Sequence, residues 1–307
     1  MRNLALLALV NLLWALQFPA SRIAAQELRP LTLTWFAMLL ASVLMLPVAW
    51  KEGRVAGRRR VESWGAVVGR VVFLGLSGSL VAQMCLNWGL ERTPASNASV
   101  MNLCIPVLMT VLAALLLGER MNAVRWLAFV LSIPGVLLAS DIRWSDTSFV
   151  ESRHLTGNLL VFASCWGSAF YNVYSKRLLE WLGPAQLLVA TFVVSLAALY
   201  PAMVVYEPGA LERLRTATPA SLAGLFVVGT VSLALAMFLY FRVLGEVEAT
   251  QASLSIYFLP VFGVVLSGVT LHETLSFPLV AGGLLVATGV WMVTMHEQRA
   301  KRGAKST

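Results

Sequence analysis

Residues 95–106 read ASNASVMNLCIP, and residues 249–260 read ATQASLSIYFLP. At a shift of 154 positions, Ala95 meets Ala249, Ala98 meets Ala252, Ser99 meets Ser253 and Pro106 meets Pro260. The alignment runs without a gap from residues 82–139 onto 236–293, taking in Glu119 with Glu273 and Gly135 with Gly289. Matches of Leu or Val are cheap in an apolar sequence. Coincident Pro, Glu and Gly are not, so the chain reads as one unit written twice.

The solvent of that unit follows from composition. The chain has 307 residues, 58% of them hydrophobic and 12% charged, with a mean hydropathy of +0.77. Soluble domains carry about 25% charged residues. Here too little polar surface remains to face water, so the exterior must face lipid. A spanning helix needs about 20 mostly apolar residues. Ten such runs are present, at 3–23, 31–50, 65–90, 94–117 and 124–140, then 157–179, 184–206, 219–244, 249–271 and 277–296. Period-2 alternation is absent, which argues against a membrane β-barrel.

Five runs per copy is an odd number, so the second copy enters the membrane upside down. The expected fold is an all-α integral membrane protein of ten transmembrane helices, arranged as two inverted five-helix repeats. Residues 1–141 form the first repeat, 142–156 an outward-facing linker, 157–296 the second repeat and 297–307 a cytoplasmic tail. Inverted repeats recur in secondary transporters, whose substrate site lies near the midplane.

The net charge of +8 could suggest nucleic acid. The cations, however, sit in short clusters between apolar runs, so no nucleic-acid partner is expected. With the N-terminus inside, 16 of the 23 Lys and Arg fall on the cytoplasmic side and 7 outside. That excess places both termini in the cytoplasm of a multi-pass inner-membrane protein. Cys85, Cys104 and Cys165 all lie in apolar runs with no metal-binding spacing and read as small core residues. No metal or cofactor is expected.

The stretch 13–19 (LWALQFP) and the stretch 165–170 (CWGSAF) resemble the EamA-type branch of the drug/metabolite transporter superfamily. The fourth run of each half adds a mid-run proline and ends on glutamate, as Leu117-Gly118-Glu119 and Leu271-His272-Glu273. The family pattern has Gly before that Glu, and the second copy departs from it with His272. The fifth runs carry the family's glycine at Gly135 and Gly289. The resemblance implies ten helices in inverted repeats and export or exchange of metabolites such as amino acids. It also implies alternating access around a cavity lined by the first, third, fourth, sixth, eighth and ninth runs.

Candidate substrate contacts are the polar and aromatic residues that lipid would not favour. Trp14, Gln17 and Phe18 share a face of the first run, and Trp166 and Phe170 echo them on the sixth. Ser99, Asn102 and Pro106 share a face of the fourth run, with Ser253, Tyr257 and Pro260 comparable on the ninth. Gln83 joins them from the third run, with Asn87 and Tyr240 as further polar candidates. Pro106 and Pro260 are expected to kink their helices into a hinge or cavity wall. Glu119 and Glu273 are expected to act structurally, at the start of the helix that follows each.

The alternative class is an intramembrane enzyme or a lipid-processing protein. Gly75-Leu76-Ser77-Gly78 fits a G-x-S-G serine-protease pattern. A serine nucleophile needs a base within reach, and His154, His272 and His296 all fall in loops or at run ends. Small residues there are better explained by close helix packing. No Asp or Glu lies in the middle of a run, which removes the commonest site of proton coupling.

Overall fold

The computed structural model describes residues 2–56, 63–117, 153–246 and 258–272, with runs of one to three residues between and beyond them. Every regular element among the described residues is helical. α1 is broken into Arg2–Ala15 and Gln17–Ala24, α2 is Pro30–Ala56, and α3 spans Trp64–Leu90. α4 is broken into Ala95–Met101 and Cys104–Leu117. α5 is Arg153–Leu178, α6 is Pro184–Tyr206, and α7 is the short Ala210–Thr216. α8 spans Pro219–Glu246, and α9 is Phe258–Leu271.

Five of these stretches are long and apolar enough to cross a membrane: Ala5–Ala24, α2, α3, α6 and α8. Their outer faces carry large apolar side chains, with Leu44, Trp50, Val205, Phe226 and Leu235 all exposed. Such a surface is stable only against lipid, so the chain is a multi-pass membrane protein. Most of the fifth and tenth runs, together with Glu119, Ser253, Tyr257 and Glu273, lies outside the described residues.

α2 and α6 pack antiparallel along their length. Each end is tied by a carboxylate. Glu52, near the end of α2, accepts from the backbone N–H of Ala185 and Gln186 at the start of α6, at 2.9 and 3.1 Å. Glu207, just past the end of α6, accepts from the N–H of Leu31 and Thr32 at 3.0 and 2.8 Å, and from the Thr32 hydroxyl at 2.7 Å. The first N–H groups of a helix have no partner within it and carry the positive end of its dipole. Glu27 closes α8 in the same way through Thr218, at 2.7 Å. That backbone hydrogen bond lowers the Glu27 pKa. This tie therefore contributes at neutral pH and is lost as pH falls through the lowered value.

The 154-residue shift recurs in the packing. Gly75 of α3 sits so close to α6 that an added Cβ would lie 2.9 Å from the Thr191 carbonyl and from Val194. Gly229 of α8 meets Ala37 and Leu40 of α2 at the same 2.9 Å. Each pair of residues is the other shifted by 154. Both contacts lie on π-helical turns, Gly75–Leu80 and Val227–Ala236. π-turns interrupt the regular ladder and often mark functional positions. Gly78 and Gly167 likewise bring α3 and α5 into backbone contact. The hydroxyl of Ser77 donates to the Phe73 carbonyl one turn back. The small residues of the G-x-S-G stretch therefore serve helix packing.

α1 packs on α8 and α9, whereas α5 packs on α3 and α4. The first helix of each half thus lies against the third and fourth of the other. Cys85, Cys104 and Cys165 are free and buried. His272 follows α9 with φ of 53°, the left-handed conformation that glycine adopts at less cost. The turn is made without the glycine of the family pattern.

Candidate functional site

Two helices, α1 and α4, break beside prolines, and α9 starts beside a third, around one point. Pro106 has no N–H for the Asn102 carbonyl, and that carbonyl accepts instead from Ile105 N–H at 3.0 Å. Pro260 frees the Ile256 carbonyl, which accepts from Leu259 N–H at 3.0 Å. The two turns are equivalent residue for residue at the 154 shift. On α1, Pro19 leaves the Ala15 carbonyl without its helical donor, and the helix parts at Leu16.

The breaks surround a cleft of about 530 Å³, its open mouth included. Trp14, Gln17 and Phe18 come from α1, Gln83 and Leu86 from α3, and Asn102 and Ile105 from α4. Ser164, Ser168 and Asn172 come from α5 and Met237 from α8; Ile256 and Leu259 complete the wall at the start of α9. Five pairs obey the same shift: Trp14 with Ser168, Phe18 with Asn172, Gln83 with Met237, Asn102 with Ile256, and Ile105 with Leu259. The equivalent positions differ in chemistry. α1 supplies an aromatic wall, and α5 supplies a wall of hydroxyls and an amide.

The polar groups are specifically held. Gln17 Nε2 donates to Gln83 Oε1 at 2.6 Å, joining α1 to α3. Asn102 Nδ2 donates to the Ala98 carbonyl at 2.7 Å. Asn172 is 6% exposed, and its Oδ1 has no hydrogen-bond partner among the described residues. A buried polar atom without a partner costs about 1–3 kcal/mol, and the residue that carries this one lines the cleft.

Of the residues expected from sequence, Trp14, Gln17, Phe18, Gln83 and Asn102 are brought together in the cleft wall. Trp166 is not. It packs on the buried cluster that includes Leu90, Met101 and Leu108. Phe170 also lies off the wall, stacked on Tyr174 at 5.4 Å and edge-on to Phe73 at 5.5 Å. Pairing Trp14 with Trp166 uses a shift of 152, but the helices pair Trp14 with Ser168. Two residues turn a helix by about 200°, so that slip selects the opposite face. Ser99 is fully buried against Gly263, whose added Cβ would lie 2.4 Å from the serine Cβ. It joins α4 to α9. Asn87 donates to Thr34 at 2.8 Å and joins α3 to α2. Pro106 follows the break of α4 and Pro260 stands at the start of α9, both beside the wall and not part of it.

Ser164, Ser168 and Asn172 escaped the sequence reading. Their signal is spacing at i, i+4 and i+8, which places a polar stripe on one face of an apolar run.

A second and wider cavity, of about 1270 Å³ with its open mouth included, opens between the end of α2, the start of α6 and the end of α8. Phe238, Phe241, Lys51 and Arg242 help line it. Met237 in the cleft and Phe241 in this cavity stand one turn apart on α8. The Phe241 ring touches Tyr240 and Tyr171, and Tyr240 touches Trp14 at 4.9 Å. One layer of aromatic rings therefore links the wall of the cleft to that of the cavity.

The model of the EamA-like transporter family matches residues 1–141 and again 155–295. "Uncharacterized transporter YvbV" of Bacillus subtilis is 25% identical, with 99% of this chain and 95% of that protein covered. A protein of Streptantibioticus cattleyicolor named "Probable terminal-alkyne amino-acid exporter" is also 25% identical, over 98% of this chain and 96% of its own. A solved crystal structure superposes with a TM-score of 0.64 over 96% of this chain and 98% of that one, at 17% identity, a likeness of fold. On the strength of the family match to both halves, the chain belongs to the EamA-like transporter family.

Proposed function

We propose that this protein is a secondary transporter, an exporter or exchanger of small metabolites, working by alternating access around the cleft. The observation that carries this reading is the lining of the cleft by equivalent positions of the two halves, beside proline-associated turns that match residue for residue. Discontinuous helices at a repeat interface are the recurring form of a carrier's binding site. The polar groups set among apolar walls suit a small solute. The candidate contacts are Trp14, Gln17, Phe18, Gln83, Asn102, Ser164, Ser168 and Asn172. The relative named as an amino-acid exporter makes amino acids and their derivatives the first solutes to try. Purified protein in liposomes is expected to exchange at least one labelled solute of a broad metabolite panel above empty liposomes. No flux across the panel, with chemical change in a lipid or peptide, would overturn the reading in favour of an enzyme.

The architecture proposed with it is ten helices in two inverted repeats, residues 1–141 and 157–296, in the inner membrane. The antiparallel pairing of α2 with α6 and the recurring 154 shift support it. Both termini are then cytoplasmic and residues 142–156 face outward. In intact cells with a permeabilised outer membrane, a cysteine at Ser148 is expected to react with an impermeant thiol reagent, and one at Gly57 is not. The native cysteines are buried and give little background. The reverse labelling pattern rules out this orientation.

A further inference from the structure

We propose that the cleft selects an uncharged, flat, amphipathic solute: an aromatic ring that lies against Trp14 and Phe18 and presents an N–H or O–H donor to Asn172 Oδ1. This inference rests on the transporter reading and narrows its substrate.

Four observations converge on it. First, among the described residues no ionisable side chain lines the cleft; its polar members are amides and hydroxyls. A charge taken from water into such a site meets no opposite charge to offset its desolvation. Secondly, part of the donor capacity at the helix starts beside the cleft is already used. An open helix N-terminus could hold an anion. Here Asn102, Leu103 and Ile105 N–H bond to Ala98, Val100 and Asn102 carbonyls, and Leu259 N–H bonds to Ile256. Those donors are spent within the turns. Thirdly, the Gln17–Gln83 bond uses one donor and one acceptor of the amide pair. Each amide keeps further capacity, so the pair can serve a neutral group without disturbing the bond. Fourthly, the orphan Asn172 Oδ1 is an acceptor. It belongs to the position equivalent to Phe18, so the acceptor and the aromatic wall come from opposite halves.

The test uses one ring in five compounds that cover four ionisation states. Indole, indole-3-acetamide, tryptophan, tryptamine and indole-3-acetate share the aromatic body and are, in turn, neutral, neutral, zwitterionic, cationic and anionic. Binding to the purified full-length protein in nanodiscs is read by calorimetry. Indole-3-acetamide is expected to bind at least about tenfold more tightly than each of the three ionised compounds, a step of about 1.4 kcal/mol. Asn172→Leu should weaken indole and the acetamide while sparing 1-methylindole, which has no donor. Asn172→Asp should raise the relative affinity for tryptamine. Tryptophan or an ion binding as tightly as the acetamide overturns the proposal, as does Asn172→Leu weakening 1-methylindole equally. Failure of every indole to bind overturns it too. The transporter reading fails separately, when the metabolite panel shows no flux.

Discussion

Replacing Glu207 by Ala is expected to destabilise the protein more than any other single carboxylate change at a helix end. Its two oxygens take three hydrogen bonds from the start of α2, and the residue is 4% exposed. Removing it leaves two N–H groups and the Thr32 hydroxyl buried and unpaired. Hydrogen bonds to charged groups contribute about 1.5–3 kcal/mol each, and coupled bonds do not add fully, so a loss of about 3–5 kcal/mol is expected. Glu52→Ala removes two such bonds at a half-buried position and should cost less. Glu27→Ala acts at an exposed position and should cost least. Thermal unfolding of the three variants in one detergent gives the order. Glu207→Ala matching the unmodified protein would show that these caps do not hold α2 to α6.

These ties matter to function through the packing they set. α2 and α6 form the antiparallel spine against which the π-turns of α3 and α8 rest, through Gly75 and Gly229. Those same helices carry Gln83 and Met237 into the cleft about two turns further along. The spine therefore fixes the height at which the two halves meet. A side chain at either glycine would push on backbone or on a branched neighbour, which a packed interior accommodates poorly.

Much of this was legible in the sequence. The apolar runs follow from the length a bilayer demands, and the 154 shift from coincident Pro, Glu and Gly. Polar side chains stranded in apolar runs pointed to Gln17, Gln83 and Asn102, because lipid penalises them wherever they are not turned inward. On α5 the cleft is lined by Ser164, Ser168 and Asn172 and not by Trp166 and Phe170, for a reason internal to helices. Trp166 looks like the partner of Trp14, but identity of residue type is a poor guide to register when two positions reverse the face. The hydroxyl and amide stripe of Ser164, Ser168 and Asn172 carries less apparent chemistry and is easily passed over. The caps could not be read at all. Glu207 meets residues 175 and 176 positions away, and no local pattern announces such a partner. The π-turns are equally silent, since they arise from tertiary fit and not from propensity. Glu119, Glu273, Ser253 and Tyr257 lie outside the described residues and keep the standing the sequence gives them.

Chemical blockade of the cleft tests the central claim most directly. Ser168 stands in its polar wall, opposite the aromatic residues of α1, and any bulk added there narrows the path that the solute must take. Ser168→Cys, in a protein with Cys85, Cys104 and Cys165 replaced, is reconstituted in liposomes and treated with a small thiol reagent while labelled-solute exchange is followed. Leu44→Cys, on the lipid-facing side of α2 at 47% exposure, serves as the control. The account predicts that modification at position 168 abolishes exchange, that excess unlabelled solute slows this modification, and that modification at position 44 leaves exchange intact. Full exchange after complete modification at position 168, verified by mass, would contradict it, and so would equal loss at both positions.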